Sequence, residues 1–93
     1  MKLNIPPITS IDTALRIFYN YSEIGNKEIK ELFGKRSTAT IVRLKKAVKS
    51  EMNKQNMYAY GANKVNSKVA YQVWGIDVAD LEKRKEKLNK LDL

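Results

Sequence analysis

Ile41, Leu44, Val48 and Met52 stand at i, i+3, i+7 and i+11, the longest apolar stripe in the chain. That spacing belongs to one side of an α-helix and to no strand. Ser37 is a good N-cap, so the stripe predicts a helix over 38–55. At about 100° per residue its other side is built from Ala39, Val42, Arg43, Lys46, Ser50 and Asn53. A helix that is apolar on one side needs other elements to cover that side, and leaves a basic face outward.

Two shorter helices precede it. Ile11, Ala14, Leu15, Phe18 and Tyr19 give the pattern of a half-buried helix over 11–21, with Thr9 or Ser10 as cap. Ser22-Glu23-Ile24 reads as a short link able to pair as a strand bridge. Asn26 is then expected to cap a helix buried through Ile29, Leu32 and Phe33, which Gly34 closes. Pro6-Pro7 makes residues 1–9 an extended arm.

After Gln55 the period changes. Residues 57–60 and 68–74 are rich in aromatic and β-branched types and alternate as strands do. With the turn-rich 61–67 between them they predict a β-hairpin over 57–74, tipped by Asn63, Lys64 and Asn66. Tyr58, Tyr71 and Trp74 read as packing residues of that hairpin, and Tyr60 as its exposed exception. Gly75 ends the second strand, and Asp77 caps a last helix carrying Val78, Leu81, Leu88 and Leu91. The expected fold is mainly α with a small β-hairpin (α+β). Its parts are an arm over 1–9, one domain over 10–76 and a C-terminal helix over 77–93.

Charge divides the chain sharply. Residues 1–34 and 69–93 are each neutral, while 35–68 hold nine basic residues against Glu51 alone. The whole formal charge of +8 therefore lies in the predicted long helix, the turn before it and the hairpin after it. Such concentration suggests a patch facing a polyanion. The chain has neither His nor Cys, which removes the usual proton shuttle, thiolate nucleophile and zinc ligands. No cofactor, metal or small-molecule ligand is expected, no enzyme activity, and no membrane partner; the chain reads as soluble and cytoplasmic.

The run from Gly25 to Lys46, GNKEIKELFGKRSTATIVRLKK, resembles the second helix, tight turn and recognition helix of winged helix-turn-helix domains of the small prokaryotic or phage regulator type. The long third helix and the terminal helix depart from many members. The resemblance implies sequence-specific binding to double-stranded DNA, as a transcriptional regulator or a phage or mobile-element accessory protein. Helix 38–55 would enter the major groove, with hairpin 57–74 as the wing.

The residues carry that reading on their own chemistry. Ala39 and Val42 can touch thymine methyls, and Arg43 can bond guanine through its planar fork. Thr38 and Thr40 either contact DNA or serve only the first turn. Lys46 lies one turn beyond Val42, while Lys35 and Arg36 with Ser37 can grip phosphate at the helix start. Lys64 and Lys68 belong to the wing, or else are loop charges guarding a sheet edge. Lys45 and Lys49 read as a solvated flank. Leu81, Leu88 and Leu91 are candidates for a homodimer contact, or for packing back on the chain's own domain. Two other functions remain open: a protein–protein interaction module on the same fold, and an RNA or single-strand binder using the hairpin aromatics.

Overall fold

A computed structural model describes residues 5–91, with side chains to residue 89. The order is α1 (Ile11–Asn20), β1 (Glu23–Ile24), α2 (Asn26–Phe33), α3 (Thr38–Lys54), β2 (Val65–Asn66), α4 (Ser67–Val73) and α5 (Val78–Leu91). The chain is thus α+β: mainly helical, with one small antiparallel sheet in which Glu23 pairs with Asn66 and Ile24 with Val65.

The first three helices form where the apolar periods place them. Ser10 caps α1, its Oγ accepting from the Thr13 N–H at 3.0 Å. Gly25 rather than Asn26 caps α2, because the Glu28 carboxylate folds back to accept from the Gly25 N–H at 2.7 Å. Ser37 caps α3 through the Thr40 N–H. At the far end Asn56 takes φ +56°, its N–H donating to Asn53 and that of Met57 to Met52. This paired closure is a Schellman motif with Asn in the left-handed position.

The hairpin over 57–74 is not formed, and the element order changes accordingly. Residues 57–60 pair with no strand, and 67–73 are helical. Helix wins there because both ends are capped. The Asn66 side chain accepts from the Val69 N–H at 3.0 Å, and Gly75 (φ +71°) closes a second Schellman motif through Gln72 and Tyr71. Ser67, Ala70, Tyr71 and Trp74, at i, i+3, i+4 and i+7, are all buried, so the segment packs at helical period. Asn66 is therefore no wing tip but a strand residue and a helix cap.

The core lies between α1, α2, α3 and α4. Phe33 meets Trp74 edge-on at 5.2 Å and Phe18 meets Tyr71 at 5.0 Å. Their polar ends are satisfied by helix carbonyls: the Tyr71 hydroxyl donates to Ala14 at 2.6 Å and the Trp74 indole N–H to Leu44 at 3.2 Å. Residues 5–9 of the arm are laid against this core, with Ile5 and Ile8 half-buried and the Thr9 hydroxyl donating to the Glu31 carbonyl at 2.8 Å. Residues 1–4 of the arm fall outside the described residues. Asp77 caps α5 as expected, accepting from the Asp80 N–H. No described helix is long and apolar enough to cross a membrane.

Candidate nucleic-acid interface

The turn between α2 and α3 fixes how α3 is presented. Gly34 takes φ +82°, a left-handed value that an L side chain adopts only with strain. Arg36 then turns back, its Nε donating to the Phe33 carbonyl at 3.1 Å. One edge of its fork thus holds the α2 terminus, while its two terminal nitrogens bond to no described residue. Lys35 beside it is exposed.

With Ile41, Leu44, Val48 and Met52 buried, α3 shows the opposite face to solvent. Ala39, Val42, Arg43 and Lys46 are exposed there together, at the i, i+3, i+4 and i+7 positions of one helical side. Val42 is 54% exposed. Thr38 is exposed, while Thr40 is a half-buried residue whose hydroxyl shares a hydrogen bond with Ser37 Oγ at 3.0 Å. Of the two threonines, Thr38 is the one left available at the surface.

The second wall comes from the loop over residues 56–64. A shallow groove of about 400 Å³ runs between Val42, Lys46 and Lys49 of α3, Asn26 of α2 and Asn63 of the loop, with Lys45 at its floor. It continues past Lys49 into a smaller hollow lined by Asn53, Tyr58 and Lys64. Lys49 lines both, so the two hollows adjoin there, and together they are the trough beside α3.

Of the two lysines expected on a solvated flank, Lys49 is exposed and Lys45 is not. Lys45 is buried, and its ammonium donates to Asn26 Oδ1 at 3.1 Å and to the Asn63 carbonyl. It thereby ties α2, α3 and the loop together. Burial first, and the neighbouring Lys49 charge second, push its pKa below the ordinary lysine value. Lys49 is exposed in the middle of the trough. Asn26, Lys49 and Tyr58 line the trough, where the sequence predicts a helix cap, a solvated flank and hairpin packing for them. For Lys49 a signal was present, since it follows Val42 by seven residues and Lys46 by three.

Other expected site residues go elsewhere. Lys64 joins the trough, and Asn63 (φ +60°) gives it a backbone carbonyl as well as its position. Lys68 sits on α4 in a separate hollow with Tyr19 and Tyr21. Leu81 is 7% exposed and packed within the chain, whereas Leu88 is 53% exposed, so the two do not make one free stripe. The Leu91 side chain lies outside the described residues. Tyr60 is fully exposed, as expected, but Tyr58 is 83% exposed and packs into no hairpin.

The charges are distributed unequally between pairs and solvent. Three ion pairs join described residues: Arg16 with Glu31, Arg84 with Asp80, and Lys85 with Asp12. None of them uses a cation from 35–68. Glu51, the one acid of that segment, accepts instead from Gln55 at 3.0 Å. Lys35, Arg43, Lys46, Lys49 and Lys64 therefore form no ion pair among the described residues, although Lys64 shares a hollow with Glu28. Compared with protein-family models, curated proteins and solved structures, the chain gives no match to any of the three.

Proposed function

We propose that α2, the turn and α3 form a helix-turn-helix that binds double-stranded DNA, of the winged class, with the loop over 56–64 standing where a hairpin wing would. The observation that carries this reading is the exposed face of α3. Its first half is small and slim at Ala39 and Val42, it carries the forked donor of Arg43, and unpaired lysines flank it. A B-form major groove is about 12 Å wide and admits one helix whose outward side chains reach base edges.

In this arrangement Arg43, Val42 and Ala39 read bases, while Lys35, Arg36, Lys46, Lys49 and Lys64 hold phosphates. Recognition of a particular sequence falls to the first group and grip to the second. The apolar surface at Val42 favours DNA over a protein partner, since its groove neighbours are Lys46, Lys49 and polar Asn26 rather than further apolar groups.

The test is duplex binding across a salt series. With five or six phosphates neutralised, log K should fall against log salt with a slope near ~−5. A flat response, or no binding to duplexes drawn from a random pool, would remove the reading.

A further inference from the structure

Of the two most exposed aromatic rings of the chain, Tyr58 lies at the end of the trough and Tyr60 on the hollow beyond it, and base reading by α3 uses neither. Along residues 57–60 burial alternates. Met57 and Ala59 are half-buried against the core, while Tyr58 and Tyr60 are 83% and 100% exposed. Neither phenol hydroxyl bonds to a described residue. A chain this short has little apolar surface to spare, yet both rings stay in water.

The backbone that carries them is held at several points. The Met57 N–H donates to the Met52 carbonyl at 2.8 Å. The Glu23 carboxylate accepts from the Tyr60 N–H through one oxygen and from the Gly61 N–H, at 2.8 Å, through the other. Further along, Lys64 N–H donates to Gly61, and the Lys45 ammonium grips Asn63. A ring offered from a fastened loop loses little further freedom when it is covered, which favours binding.

Their surroundings are polar, cationic beside Tyr58 and bordered by the Glu23 carboxylate beside Tyr60. Tyr58 borders Lys49, Asn53 and Lys64 on one side, and on the other a hollow of about 490 Å³ that it shares with Tyr60, Ser22, Glu23 and Asn56. A phosphate chain following Lys46, Lys49 and Lys64 would leave the trough beside Tyr58, with Tyr60 two residues further on. Bases inside a duplex are stacked on one another and offer no face to a tyrosine. Unpaired bases do, whatever their sequence.

We propose that Tyr58 and Tyr60 form a stacking site for unpaired bases, so that the preferred ligand is a duplex continued by a single-stranded segment. This rests on the reading of α3 as a duplex binder. The trough would hold the paired part and the loop the first bases of the tail.

The experiment measures anisotropy of a labelled blunt duplex, the same duplex with a four-nucleotide tail, and the same tail built of abasic sites, all at one salt concentration. The base-bearing tail should tighten binding by about tenfold, and the abasic tail should bind as the blunt duplex does. In the double variant Tyr58→Ala/Tyr60→Ala the ratio of tailed to blunt affinity should fall from about ten to one. The corresponding Phe pair should retain the gain, since stacking needs the ring and not the hydroxyl. Equal binding of blunt and tailed duplexes overturns the stacking site but leaves the duplex reading standing. A gain that survives in the abasic tail, or in the Ala pair, also overturns it. Failure of every duplex to bind overturns both.

Discussion

Lys45 and Lys49 are one turn apart on α3 and have opposite tasks. The first is a strut whose ammonium bonds Asn26 and Asn63, and the second is a free charge in the trough. Lys45→Met should therefore lower stability in urea by about 1.5–3 kcal/mol, the usual worth of bonds to a charged group. Lys49→Ala should leave stability within about 0.5 kcal/mol and make the salt slope of duplex binding shallower by about 1. Arg43→Ala should cost about 1–3 kcal/mol on a selected site and blur preference at one position. An Arg43 variant with unchanged preference in competition binding would put the reading face elsewhere.

Tyr71 and Lys45 also predict how stability follows pH. Burial pushes the Tyr71 phenol well above its ordinary value, so above pH ~10 the unfolded chain releases a proton that the folded chain keeps. Its contribution is complete below that pH and is lost as pH rises. The lowered pKa of Lys45 acts with the other sign. There the unfolded chain holds the proton longer, and stability is gained as pH climbs toward the ordinary lysine value. Tyr71→Phe should flatten the alkaline decline seen in denaturant melts above pH ~10, at a cost near 1 kcal/mol for the lost bond to Ala14.

Among the elements, α4 depends most on its ends. It has seven residues, too few to persist alone, and it is fixed by Asn66 before it and Gly75 after it. Asn66→Ala should cost about 1 kcal/mol through the lost cap. A Cβ at Gly75 would meet nothing within 4 Å, so Gly75→Ala should cost only the left-handed backbone penalty, about 1–2 kcal/mol. Thermal melts of the two variants measure both.

The same helix marks the limit of what the sequence discloses. Four helices were legible from apolar residues at helical spacing, with side-chain caps at α1, α3 and α5, while the α2 cap was expected one residue late, at Asn26. Val69, Tyr71 and Val73 alternate with polar neighbours and have high strand propensity, so local preference pointed to β. The decisive evidence is non-local: Tyr71 reaches Ala14, and Trp74 reaches Leu44, contacts that only a helix in this place makes together. The signs that were present were Asn66 as a cap and Gly75 as a helix stop rather than a strand break. The outward face of α3 was readable for the same reason as its buried face. The trough was not, because its second wall depends on where the loop folds back, which Glu23 and Lys45 decide from 37 and 18 residues away.

Taken whole, the molecule is about 45 Å long and 26 by 24 Å across, and α3, at 1.5 Å per residue, runs about 25 Å of it. That exceeds a major-groove width of about 12 Å, so the first turns of α3 can enter a groove while Asn53 and the loop remain at its margin. Lys64 therefore suits the backbone better than base edges, and Lys64→Ala should weaken binding to selected and random duplexes by the same factor.

The acids that match cations do so near α1, α2 and α5, whereas the flank of α3 keeps its lysines unmatched. A body whose lysines on that flank go unmatched would feel, in the field of a polyanion, a torque as well as a pull. It is turned to the correct side before it touches. The consequence is kinetic: added salt should slow arrival more than it hastens departure, which stopped-flow measurements of association and dissociation would separate.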